Sequence, residues 1–153
     1  MKKGVISFIL FLLLVGCEPN RVFEKNIEIS KSNWDMNQPV SFEVSIEDTT
    51  SPHDFFINVR NSGHYQFSNL YLFVNTTLPG NEIMRDTVEL ILADADGKWR
   101  GSGLGDIWDN RILFKNNVIF PISGTYQFTL YHAMRTEILP GIMDVGIRIQ
   151  KSE

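Results

Sequence analysis

The chain holds one cysteine in 153 residues, so it has no partner for a disulfide. A cross-linked scaffold is excluded. No apolar run reaches the roughly 20 residues that a membrane-spanning helix needs. There is no internal repeat and no low-complexity tract, which excludes solenoids and long flexible linkers. Basic residues are not in excess: 14 Lys and Arg stand against 18 Asp and Glu, a formal charge of −4. That balance is a poor electrostatic footing for nucleic acid or for anionic lipid headgroups. Catalytic signatures are missing too. There is no Gly-x-Ser-x-Gly elbow, no His-Glu-x-x-His pair and no phosphate loop. The three histidines, His53, His64 and His132, share no metal-like spacing. No metal, no cofactor and no enzymatic activity are expected. His53 and His64 lie near turn signals and read as solvated. His132 continues an apolar strand face and reads as partly buried.

What is present begins at the front. Lys2 and Lys3 precede an apolar stretch from Val5 to Val15 broken only by Ser7. It ends as Leu14-Val15-Gly16-Cys17. A charged start, an apolar middle and a small residue before the cleavage point make a secretory leader. Leu-Val-Gly-Cys resembles a bacterial lipobox, which implies cleavage before Cys17 and acylation of that cysteine. The lone thiol is then accounted for, and two or more acyl chains make a stable anchor. Cleavage leaves 137 residues, with 12 basic against 18 acidic side chains and a formal charge of −6. A chain of this size buries roughly 68–70% of its unfolded surface and folds without a staple. The expected organisation is a leader over 1–16, a lipidated tether over 17–26 and a single domain over 27–153.

The domain speaks in period two. Val40, Phe42, Val44 and Ile46 alternate with polar residues, the pattern of a half-buried antiparallel strand. Phe55, Ile57 and Val59 repeat it, as do Leu70, Leu72 and Val74. Thr87–Leu92 is a further run, then Tyr126, Phe128 and Leu130, and finally Val145, Ile147 and Ile149. Turn signals separate them: Ser51-Pro52, Ser62-Gly63, Pro79-Gly80-Asn81, Asp96-Gly97, Ser123-Gly124 and Pro140-Gly141. Short strands with regular turns predict an all-β, antiparallel β-sandwich. Jelly-roll and immunoglobulin-like strand orders are both open.

Asp94-Ala95-Asp96-Gly97 has the opening of a calcium loop, but the twelfth position is Gly105, and Asp106 is one residue too far. A tight turn with Gly97 at positive φ fits better. The best candidate for a partner surface lies from Gly101 to Arg111. Its three glycines free the backbone, and Trp99, Trp108 and Arg111 are residue types enriched at binding hot spots. Asp109 is placed to pair with Arg111 or with Arg135. The same residues also fit a second reading, in which both tryptophans pack in the core and Asp109 and Arg111 fix an internal loop. Trp34, Trp99 and Trp108 show no sign of sharing a face for sugar binding.

The second half carries recognisable pieces: Lys98-Trp99-Arg100-Gly101, Gly103-Leu104-Gly105-Asp106-Ile107-Trp108-Asp109-Asn110-Arg111, Phe120-Pro121 and Gly124-Thr125-Tyr126-Gln127-Phe128. Ala133-Met134-Arg135 and Leu139-Pro140-Gly141-Ile142-Met143-Asp144-Val145-Gly146 follow. With the lipobox, the chain resembles the gliding-motility lipoprotein GldH family along essentially its whole length. The resemblance implies a small accessory lipoprotein of the gliding machinery and its linked secretion system. It implies no catalytic chemistry, and it carries over Cys17 as the lipidated position. The expected partners are other envelope motility or secretion proteins. The membrane is reached through lipid alone, and nucleic acid is not a partner. Glu18-Pro19-Asn20-Arg21 lacks the acidic run that resembles a surface-export signal, so the periplasmic side is expected. Of the two membranes, the inner leaflet of the outer membrane is the expected anchor, a preference that these residues do not supply. The alternative function is an envelope module that binds glycan or another ligand.

Overall fold

A computed structural model describes residues 18–153; the leader and Cys17 lie outside the described residues. Eleven strands form: β1 (Arg21–Glu28), β2 (Asn33–Asp35), β3 (Val40–Ile46), β4 (His53–Ser62), β5 (Asn69–Thr77) and β6 (Ile83–Ile91). They continue with β7 (Ser102–Leu104), β8 (Ile107–Val118), β9 (Gly124–His132), β10 (Ile138–Pro140) and β11 (Ile142–Lys151). One sheet runs β1-β11-β4-β8-β7 and a second runs β3-β9-β5-β6. β2 and β10 make a small ribbon at one end. All pairings are antiparallel.

The β-sandwich is as expected, and its order is now defined. The eight long strands fall as β1-β11-β4-β8 against β3-β9-β5-β6. Successive strands cross between sheets except at the β5–β6 hairpin. That is the jelly-roll order of two interlocked Greek keys.

Alternation builds the core. β3 buries Val40, Phe42, Val44 and Ile46 while its serines and Glu43 face water. Leu70, Leu72 and Val74 of β5 and Tyr126, Phe128 and Leu130 of β9 complete that layer. They meet Phe55, Ile57 and Val59 of β4 and Val145, Ile147 and Ile149 of β11. Trp34 closes the β2–β10 end, buried edge-on to His132 at 5.4 Å between ring centroids. Its indole N–H donates to the Gln38 carbonyl at 3.0 Å, so the polar atom of a buried ring is satisfied.

Three expectations need correction. The stretch expected to be tether is largely strand: β1 begins at Arg21 and pairs with β11 from Arg21↔Gln150 to Glu28↔Asp144. His53 is buried, packed edge-on to Phe120 at 5.3 Å, because it occupies an inward position at the start of β4. The loop expected over Gly101–Arg111 is a hairpin, β7 into β8, turning at Gly105 with φ 64°. Gly97 does adopt positive φ, in a turn closed by its N–H on the Asp94 carbonyl at 2.9 Å.

Candidate functional site

Side chains on the outer face of the five-stranded sheet form a ladder of alternating charge. The register decides this. Asp109 of β8 stands opposite Arg60 of β4, which stands opposite Asp144 of β11. One step along, Arg111 faces Asn58, Asn58 faces Gly146, and Gly146 faces Asn26 of β1. Arg148 then faces Glu24. Gly146 has no side chain because a Cβ there would overlap the Asn26 amide.

Each charge is met across strands. Arg60 Nε donates to Asp109 Oδ1 at 2.6 Å, and its Nη1 donates to Asp144 Oδ2 at 3.2 Å. Arg111 Nη2 donates to Glu24 Oε1 at 2.7 Å, and Arg148 Nη1 donates to Glu24 Oε2 at 2.7 Å. Asn58 Nδ2 bonds Glu24 Oε1 at 3.1 Å and Asn26 Oδ1 at 3.2 Å. Burial alone would push the Glu24 carboxyl up; the Arg148 and Asn58 bonds and the nearby Arg111 charge outweigh it and hold it below the usual carboxylate range. Burial would likewise lower Arg148, but its bonds to Glu18 and Glu24 leave it raised. The bond to Asp109 raises Arg60, against a smaller burial effect. These ions stay charged at neutral pH.

The ladder lines a groove of about 900 Å³, bounded on one side by Arg100, Gly101 and Ser102 and reaching Glu89 and Ile91 of β6. No Trp, Tyr or Phe among the described residues lines it. Among the described residues, no three His, Cys, Asp or Glu side chains are grouped to hold a metal ion.

The expected surface residues divide. Asp109 and Arg111 sit in the groove, on the outward face of β8. Asp109 pairs with Arg60, and with neither Arg111 nor Arg135, because Arg60 is its cross-strand neighbour. Trp108 is half-buried, its ring lying over Gly103, where a Cβ would overlap it. Trp99 is half-buried against the core, 6.5 Å from the Tyr65 ring. Arg135 is on the β9–β10 connection, in a separate pocket with Phe67, Tyr71 and Met134. Glu24, Asn26, Asn58, Arg60, Asp144 and Arg148 escaped the sequence reading. Their one local signal is polarity at alternate positions inside otherwise apolar strands, as at Asn58 and Arg60 alternating with Ile57 and Val59.

Residues 21–149 match the GldH lipoprotein family, nearly all of the described chain. The chain belongs to that family. A gliding motility lipoprotein GldH homolog of Christiangramia forsetii is 35% identical, over 98% of this chain and 96% of the relative. The gliding motility lipoprotein GldH of Flavobacterium johnsoniae is 31% identical, over 100% and 99%. Among solved structures, CBM35 from Cellvibrio japonicus Abf62 aligns over 74% of this chain and 70% of its own at 16% identity. Its TM-score is 0.30, too low to carry an argument. The resemblance read from the sequence is therefore shown: this is a gliding-motility lipoprotein.

Proposed function

We propose that the chain is a non-catalytic accessory lipoprotein of the gliding machinery and of the secretion system linked to it. Acylated Cys17 holds it to a membrane, the outer membrane on its periplasmic side. The groove on the five-stranded sheet recognises another envelope protein.

The observation that supports this reading is the charge ladder. Arg60, Asp109, Arg111 and Glu24 are fixed on paired strands, so a partner meets preorganised groups and orders little on binding. Guanidinium and carboxylate groups in fixed geometry favour specific, bidentate recognition of complementary side chains. Tethering adds effective concentration by confining the domain to one membrane face. The alternative, a glycan-binding module, is less well served: sugar rings stack on aromatic faces, and among the described residues the groove presents none.

The test is cross-linking in intact cells followed by purification of the lipidated chain, with Arg111→Glu and Cys17→Ser compared. Capture of other motility or secretion lipoproteins should fall at least about tenfold in both variants, as loss of a charged hot-spot contact implies. Undiminished capture by Arg111→Glu would remove the groove from the account.

A further inference from the structure

The ends of the sandwich are not equivalent. At one end the register gathers Arg21, Gln150 and Asp54 in a row, with His53 opposite Val118 beside them. The connections 47–52 and 119–123 and the turn 78–82 close over this end, and Gly124 abuts Pro79. The β7–β8 hairpin tip lies at the other end, beyond Ser62. The ten residues of β4 separate the two by about 30 Å at roughly 3.3 Å per residue.

The chain leads back to Cys17 from the first end, with almost no slack. The Arg21 N–H donates to the Glu18 carbonyl at 3.1 Å, and the Lys151 N–H donates to the Asn20 carbonyl at 2.8 Å. The Glu18 carboxylate meets the buried Arg148 guanidinium at 2.6 Å. Cys17 is bonded to Glu18, so their Cα atoms are about 3.8 Å apart. An acyl anchor on Cys17 is thus attached to the body of the domain and not to a tether. The same end exposes large apolar side chains: Ile83 at 65%, Ile119 at 57%, Met84 at 49% and Ile122 at 44%.

We propose that this end is a bilayer-docking surface, with Ile119 and Ile122, flanked by Ile83 and Met84, seated at the lipid headgroup boundary. The inference rests on acylation of Cys17 as proposed above. The occupant is lipid because the anchor places the membrane there, and a short attachment leaves the domain no room to turn. Acidic side chains at this end, Glu18, Glu47, Asp48, Asp54 and Glu82, outnumber the nearby Arg21 and Lys151. Docking is therefore driven by apolar contact and not by anionic headgroups. The domain stands on its end, the groove opens sideways along the membrane, and Leu104 at the hairpin tip points away from it.

The test uses the full lipidated chain in phosphatidylcholine vesicles that carry a quencher in the acyl region. Lipid blocks the native Cys17 thiol, so Ile119→Cys, Ile122→Cys and Leu104→Cys each take one environment-sensitive dye. Intact mass confirms the acyl groups, and circular dichroism confirms the fold. Dye at 119 and 122 should be quenched severalfold more than dye at 104. Equal quenching at the three sites with Cys17 acylated, or stronger quenching at 104, would overturn the docking surface alone. A mass without acyl groups would overturn the inference at its premise and would identify lipidation as the part that failed.

Discussion

The two sheets share one core and differ on their outer faces. On the four-stranded sheet, β3 presents Ser41, Glu43 and Ser45 to solvent, and Ser41 meets Thr129 of the neighbouring strand in an exposed hydrogen bond of 3.0 Å. On the five-stranded sheet the outer side chains of the central strands β4 and β11, with Glu24 of β1, are half-buried or buried, while Asp109 and Arg111 of β8 stay exposed. β11 buries Gly146 and Arg148 as well as its inward residues, and β4 buries Asn58. Solvated polar groups cost little and specify little. Half-buried charges must be matched, so the matched ladder singles out one face as the place where polar chemistry has been arranged.

The largest effect should not distinguish the sheets at all. Leu72→Ala on one sheet and Ile147→Ala on the other both empty fully buried sites. Each should cost about 2–5 kcal/mol in chemical denaturation, as cavity formation does. A much smaller loss from one of the two would mean the layers do not share a core.

The next effect separates the faces. Arg148→Leu removes the guanidinium that bonds both Glu18 and Glu24. Leaving Glu24 short of a partner in its half-buried site should cost ~1–3 kcal/mol. The lowered folded value of Glu24 gives the sign for pH. Its contribution is present above its ordinary value of 4.5 and is lost as pH falls through the folded value. Acid titration of stability should therefore be shallower in Arg148→Leu than in the parent.

A milder dependence comes from the core. Burial lowers His132 from 6.5, against weaker opposing bonds to backbone. The unfolded chain takes up the proton first, so stability falls as pH drops below 6.5 toward the folded value. His132→Gln should flatten that part of the profile, as read by thermal melts between neutral and mildly acidic pH. The smallest effect belongs to the four-stranded face: Ser41→Ala should change stability by no more than about 0.5 kcal/mol and leave partner capture intact.

This contrast also explains what could be read from the sequence. β3 and β9 announce themselves because each has one apolar and one polar face, and β5 does so through the alternation of Leu70, Leu72 and Val74. β8 does not. Asp109, Asn110 and Arg111 interrupt it, although Asn110 points inward and bonds the Val59 carbonyl at 3.1 Å and Asn61 Oδ1 at 2.9 Å. A buried amide network looks like a loop in a hydropathy pattern. β1 is hidden by the three consecutive polar residues Glu24, Lys25 and Asn26. The jelly-roll order depends on pairings such as β1 with β11, more than 100 residues apart, which no local pattern encodes. The charge ladder shares that origin: its members lie on β1, β4, β8 and β11, and only the register brings Arg60 to Asp109.

The central claim is that the outer face of the five-stranded sheet is the working surface. A photoreactive phenylalanine analogue placed at Leu113, exposed in the groove, or at Gln127, exposed on the four-stranded sheet, tests it in living, gliding cells. Adducts with another envelope lipoprotein at position 113 and none at 127 are predicted. Adducts at 127 with none at 113 would contradict the account and move the binding face to the other sheet.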